Sequence, residues 1–185
     1  LNERRQITGV FAGDLLKAHR EGCEFVRKSA MQKVELPFDV VVTTNSGYPL
    51  DQNLYQAVKG MSAAARIVKK GGTIIVASEC SDGVPNDSPY ERLLNRSASF
   101  EELFKFIMDP TREEPEQWQV IVQMVIQRRA EVLVYSRLPE ERVIGAKLIP
   151  CRDISAAIGQ RVAAIGPQAR IAVLPQGPLT IPYLA

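Results

Sequence analysis

The sequence predicts an α/β fold, a single three-layer, Rossmann-like domain over residues 1–185 with a mostly parallel sheet, and three observations carry that prediction. Val40, Val41 and Val42, followed by Thr43 and Thr44, form a β-branched run without alternation, as a strand covered on both faces requires. Asn45, Ser46, Gly47 and Pro49 break that run, and from Asp51 the apolar period turns helical through Leu54, Ala57, Val58, Met61, Ala65 and Val68. Residues 73–77 then repeat the buried-strand pattern, so strand, helix and strand close a right-handed βαβ unit.

The remaining elements follow in chain order. Residues 9–11 are expected to end a short strand, and Asp14 to cap a helix running to about Lys28. Leu15, His19, Gly22, Cys23 and Val26 share one face of that helix, which makes His19 a packed or hydrogen-bonded side chain rather than a ligand. Asp51 is the expected N-cap of the central helix, and Lys69, Lys70, Gly71 and Gly72 supply its last-turn cations and its glycine stop. The loop over residues 78–88 carries Glu79, Asp82, Gly83, Asn86 and Asp87 near the carboxyl edge of the sheet, and reads first as a plain surface loop. Ser99 with Glu102 forms a capping box for a helix bearing Phe100, Leu103, Phe104 and Ile107. Pro115 suits the first position of the next helix, where Trp118, Ile121, Val122 and Val125 share a face and Trp118 reads as core. Strands over residues 132–135 and 171–174 flank a helix over 153–165, and the proline-rich tail from Pro175 is confined to an edge or an extended cover.

Composition removes several functional classes. A chain of 185 residues buries roughly 70% of its unfolded surface, enough for one full core. Lys and Arg number 23 against 21 for Asp and Glu, with no basic cluster interleaved with aromatics, so a nucleic-acid partner is not expected. No apolar run approaches the ~20 residues of a membrane span, and the N-terminal L-N-E-R-R-Q lacks the apolar segment of a signal peptide, which predicts a soluble cytoplasmic protein. Cys23, Cys80 and Cys151 are isolated and read as small buried thiols, and the single His19 cannot build a histidine metal site. The chain starts at Leu1 without methionine, as a piece cut from something longer would.

Turning the central helix by about 100° per residue sets Gln52, Tyr55, Gln56 and Lys59 on a narrow arc opposite the apolar stripe. The strand–turn–helix arrangement also places the helix N-terminus, with its free N–H groups, at the carboxyl end of the sheet, where open α/β folds bind ligands. An ordinary solvated face would carry Glu and Lys at (i, i+4), and this one carries a phenol, two amides and one cation. On pattern alone a solvated face and a ligand-binding face stand equally open.

The run T-T-N-S-G-Y-P-L-D-Q-N-L-Y-Q-A-V-K-G-M, from Thr43 to Met61, resembles the C-terminal domain of the nickel-dependent lactate racemase family. The resemblance extends upstream to F-A-G-D at Phe11 and A-H-R-E-G at Ala18, and more loosely downstream, covering most of the chain. It implies an isomerase that interconverts the enantiomers of lactate or a related 2-hydroxy acid by hydride transfer to and from a nickel-pincer nucleotide. The family's N-terminal domain, which holds the cofactor and nickel and supplies two catalytic histidines, has no counterpart in this sequence. That domain is the implied partner, and without it the chain is expected to be inactive and to bind neither cofactor nor metal.

Within L-Y-Q-A-V-K the family uses its tyrosine, glutamine and lysine to reach cofactor and substrate. The resemblance therefore implies a cofactor contact for Tyr55, substrate-binding and catalytic roles for Gln56 and Lys59, and a substrate contact for Trp118. One departure stands at the turn, where the family pattern has glycine and this chain has Ser46. At a positive φ, Ser46 carries strain that glycine avoids, or it marks a different substrate. The alternative to a racemase half is a non-catalytic α/β module that binds an anion or mononucleotide or serves as an interaction domain.

Overall fold

The computed structural model describes residues 6–185, so the opening L-N-E-R-R lies outside the described residues. Along the chain follow α1 (Leu15–Ala30), β1 (Met31–Val34), β2 (Phe38–Thr44), α2 (Leu54–Ala65), β3 (Val68–Ala77), α3 (Pro89–Leu94), α4 (Phe100–Ile107), α5 (Gln117–Arg129), β4 (Glu131–Tyr135), α6 (Glu140–Gly145), β5 (Ile149–Pro150), α7 (Ile154–Ile165), β6 (Ile171–Leu174) and β7 (Ile181–Leu184). Five strands form one parallel sheet in the order β5-β4-β3-β2-β6, and β1 pairs with β7 in a separate parallel ribbon.

The valine run sits at the heart of that sheet, paired with β3 on one side and β6 on the other. Val41, Ile74 and Val76 face a cluster built by α2 and α5, while Val40, Val42, Ile75 and Leu133 face Ile154, Ala157 and Ile158 of α7. Helices therefore cover both faces, and the three layers follow from a strand with no polar side to offer. The tail forms β7 outside the main sheet, consistent with a proline-rich cover. Among the described residues no helix is long and apolar enough to cross a membrane.

Helix α2 has the phase read from its sequence: Leu54, Ala57, Val58 and Met61 are all no more than 1% exposed. Its ends differ from expectation. Asn53 is the N-cap, with its side chain accepting from Gln56 N–H at 3.0 Å. Asp51 is diverted to the next loop, where its carboxylate accepts from Glu79 N–H and its carbonyl from Cys80 N–H at 2.9 Å. The helix also stops at Ala65, and residues 69–72 belong to β3. Gly71 at φ 77° and Gly72 make a bulge there, opposite the register shift between Phe38 and Val40, and a Cβ on Gly72 would lie 2.8 Å from the Asp39 carbonyl oxygen. Lys69 is not a helix-terminal cation but pairs with the buried carboxylate of Asp39 at 2.6 Å.

Several other expectations are corrected. Residues 9–11 form no strand. Asp14 caps α1 as expected, yet α1 buries no residue, and His19 is exposed, with its ring 3.7 Å from the sulfur of the exposed Cys23 one turn on. Cys80 and Cys151 are buried thiols, with burial pushing Cys80 up to about 11. Ser99 caps α4, but Glu102 turns its carboxylate to the Ser97 hydroxyl at 2.7 Å, leaving half a capping box. Helix α5 begins at Gln117, after Pro115, behind Glu116 at φ 60°. Its buried face is Gln119, Val120, Gln123, Met124 and Ile126, so Trp118 at 57% and Val125 at 52% exposure are outside the core. Amides can occupy that face because they are satisfied there: Gln119 donates to the Tyr55 carbonyl, and Gln123 donates to the Ala146 carbonyl while accepting from the Tyr90 hydroxyl.

Two stability predictions follow from this packing. A Cβ on Gly60 would lie 2.5 Å from the Thr44 carbonyl oxygen, so Gly60→Ala should lower stability by ~1–3 kcal/mol in thermal unfolding; an unchanged melting temperature would show that α2 can move off β2 freely. Hydrogen bonds from Lys69 and from Arg170 N–H hold the Asp39 carboxyl below its ordinary value of 3.8. A folded-state value below the unfolded one gives stability that is complete above the ordinary value and disappears as pH falls through the lowered one. The melting-temperature gap between wild type and Asp39→Asn should therefore be constant at neutral pH and close below about pH 4; a gap that widens on acidification contradicts the pairing.

Candidate functional site

The turn after β2 determines where α2 can lie. Ser46 and Gly47 both take positive φ, 65° and 70°, so the serine does occupy a left-handed position, and its hydroxyl is buried without a partner. The backbone N–H of Ser46 donates to Thr44 Oγ1 at 2.9 Å, and Leu50 N–H to the Gly47 carbonyl at 2.8 Å. Asn45, fully buried, spans the turn: its amide nitrogen donates to the Leu50 carbonyl and its Oδ1 accepts from Gly60 N–H at 3.1 Å. Gly60 and Ala63, the small residues of α2 beside Lys59, are both buried, Gly60 against Thr44.

The N-terminus of α2 is not open to an anion in the way its position suggests. Leu54 N–H donates to the Gly83 carbonyl at 3.0 Å and Gln56 N–H to the Asn53 cap, and Asp82 N–H closes the loop on the Gln52 carbonyl at 2.7 Å. The polar loop after β3 is thus largely a structural brace. Asn86 accepts from Arg142 and Glu79 pairs with Arg137 at 2.8 Å. Cationic binding capacity passes to Lys59, one turn into the helix.

Lys59 is exposed, and Tyr55 and Gln56 are half-buried. Lys59 Nζ donates to Gln56 Oε1 at 2.6 Å, so the cation is held by its neighbour within α2 and is not free as its isolation in sequence suggests. Among the described residues no carboxylate forms an ion pair with it. The Tyr55 ring meets Tyr90 edge-on at 5.4 Å and Trp118 at 5.9 Å. Burial, and then the nearby Glu116 charge, push the Tyr55 phenol above its ordinary value, so it remains protonated at neutral pH.

Two concavities are candidates for a ligand. A groove of about 370 Å³ runs between α2, α5 and the Gly177–Leu179 turn, lined by Lys59, Ser62, Trp118, Gln119 and Pro178 among others. A larger cleft of about 970 Å³ opens over the carboxyl ends of the strands between Ser46, Ser78, Tyr135, Arg137 and Arg152. The two share no lining residue. The larger is where open α/β sheets generally take ligands, but its arginines are already paired, Arg137 with Glu79 and Arg152 with Glu140. The smaller groove is lined by two cations, Lys59 and Arg66, neither of them in an ion pair among the described residues, and it brings together Lys59 and Trp118 from elements far apart in sequence.

Tyr55 and Gln56 border this groove on the same helix without lining it. Sequence reasoning did not single out Gln119 or Asn45. The signal for Gln119 was its (i, i+4) spacing with Gln123 inside an otherwise apolar helix, which marks amides with buried partners. Among the described residues no group of three or more His, Cys, Asp or Glu side chains is placed to hold a metal ion.

Comparisons with known proteins agree with this architecture. A family model described as the lactate racemase C-terminal domain matches residues 33–181. Lactate racemase of Thermoanaerobacterium thermosaccharolyticum is 35% identical over 181 residues, and that of Lactiplantibacillus plantarum 33%, each alignment covering 96% of this chain and 42% of the relative. The structure of the T. thermosaccharolyticum lactate racemase apoprotein superposes with a TM-score of 0.81 at 34% identity, over 90% of this chain and 40% of that one. A crystal structure of a Thermotoga maritima protein, at 14% identity and a TM-score of 0.61, shares the fold. The chain thus spans about 42% of the length of the curated relatives it matches, and α1 lies ahead of the family model. With that model matched over the whole sheet and over α2, α5 and the groove between them, the chain belongs to the lactate racemase C-terminal domain family.

Proposed function

We propose that this chain forms the substrate- and cofactor-contacting half of a cytoplasmic nickel-pincer-dependent racemase or epimerase acting on lactate or a related 2-hydroxy acid. The observation that carries the reading is Lys59: an exposed ammonium on a groove, without a carboxylate partner among the described residues, held by Gln56 and bordered by Trp118. A 2-hydroxy acid presents a carboxylate, and a charge-assisted hydrogen bond to it is worth ~1.5–3 kcal/mol. With Gln56 Oε1 occupied by Lys59, the amide NH₂ of Gln56 remains to donate to a substrate hydroxyl or carboxylate oxygen. Trp118 offers an apolar wall for the 2-substituent, and the protonated Tyr55 phenol a donor toward the cofactor.

The donor set of the groove fits a carboxylate or phosphate and a flat ring, and offers no thiolate or imidazole for nickel. Nickel and the acid–base groups then come from the remainder of a full-length protein, the expected partner of this face. When bound, the nickel-pincer nucleotide supplies the chemistry of taking a hydride from C2 and returning it to the other face. The part of this chain is to hold the carboxylate at Lys59 and orient the hydroxyl through Gln56, so that both faces of C2 pass the same point.

In a full-length, cofactor-loaded protein carrying this domain, Lys59→Ala should lower kcat/KM for the 2-hydroxy acid by roughly one to three orders of magnitude. Its stability should change by no more than about 0.5 kcal/mol, because the side chain lies off the apolar stripe. Full activity in that variant would favour a non-catalytic anion-binding module, and unfolding would remove Lys59 from the site.

A further inference from the structure

We infer that Gln119 is a positioning residue that holds Trp118 and the first turn of α2 in register across the groove; this rests on the reading of Lys59 and Trp118 as substrate contacts. Gln119 is 2% exposed, and its Nε2 donates to the Tyr55 carbonyl at 2.6 Å, across 64 residues of sequence. A hydrogen bond to a backbone carbonyl fixes the helix itself, not a rotamer, so it sets where α2 stands along α5. Trp118 precedes Gln119 directly, and a helical step of about 100° turns the indole to the groove when the amide points at α2. The indole then meets the ring of Tyr55, the residue whose carbonyl Gln119 holds, at 5.9 Å and 84°.

The start of α5 is fixed by a second tie. Glu116, in a left-handed conformation at φ 60°, accepts from Tyr90 N–H at 2.8 Å through its carboxylate, and its carbonyl accepts from Gln119 N–H at 3.0 Å. Tyr90 in turn packs edge-on against Tyr55 at 5.4 Å. The three helices carrying or bracing the groove are thus tied at one point beside Trp118, while the bonds of Gln123 to the Ala146 carbonyl and of Arg129 to the Val68 carbonyl lie farther along α5. A shift of about 1 Å in a substrate contact can cost about 100-fold in rate, so loss of this tie should register in catalysis as well as in stability.

The test uses a full-length, nickel-loaded protein with kinetic constants referred to nickel content. Gln119→Met keeps the volume and removes the donor. The expected result is a fall in kcat/KM for lactate on the order of tenfold, shrinking to under about twofold when Gln119→Met is made in a Trp118→Ala background. The fluorine NMR signal of 5-fluorotryptophan at Trp118, assigned by its loss in Trp118→Phe, should shift or split in Gln119→Met. An effect of equal size in both backgrounds, or an unmoved fluorine signal, would overturn the positioning role and leave Gln119 a stability residue. If Trp118→Ala alone leaves kcat/KM intact, the placement of substrate against Trp118 fails, and the fluorine signal by itself still decides whether Gln119 positions the indole.

Discussion

Helix α2 lies against the end of β2 because Gly60 has no side chain to keep it away, and Asn45 holds it there by accepting from Gly60 N–H at 3.1 Å. Gly177 makes the same kind of approach, against Thr43, Thr44 and Gly60 itself. These contacts set the depth of α2 in the fold, and with it the height at which Tyr55, Gln56 and Lys59 leave the core. A buried amide on the turn and two glycines thus do for the site what a ligand-binding loop does in other α/β proteins.

The consequence is that binding chemistry moves away from the helix N-terminus. Loop 78–83 returns over the first turn of α2 and takes the Leu54 N–H, Asn53 takes that of Gln56, and Asp51, which could have capped the helix, is spent on that loop. What remains for an anion is a side-chain cation on the flank, steadied by Gln56. The wide cleft at the carboxyl edge is lined by arginines that already have carboxylate partners, and is less suited to a monoanion than its size suggests.

Much of this was legible in the sequence. The non-alternating valines, the change of period after Pro49 and the second β-branched run specify the central βαβ unit, and the apolar stripe specifies the phase of α2 correctly. What was not legible depends on tertiary partners. The glycine pair at 71 and 72 reads as a helix stop, and becomes a strand bulge because β3 must pass Asp39 at close range. Helix α3 went unread although Ser88, Pro89 and Glu91 form a cap, N1 and N3 signal, with Ser88 accepting from Glu91 N–H. On α5 the period chosen from Trp118, Ile121 and Val125 was turned from the true one, since the buried positions include Gln119 and Gln123, whose partners lie on other elements. A hydrophobicity pattern cannot anticipate an amide that is buried because something distant needs it.

The most direct measurement is the structure of a full-length, nickel-loaded protein with a 2-hydroxy acid or its unreactive analogue bound. The account predicts a carboxylate oxygen about 2.7–2.9 Å from Lys59 Nζ, with the Trp118 indole against the 2-substituent. A carboxylate seated instead among Ser78, Arg137 and Arg152 in the larger cleft, with Lys59 still bonded only to Gln56, would contradict it.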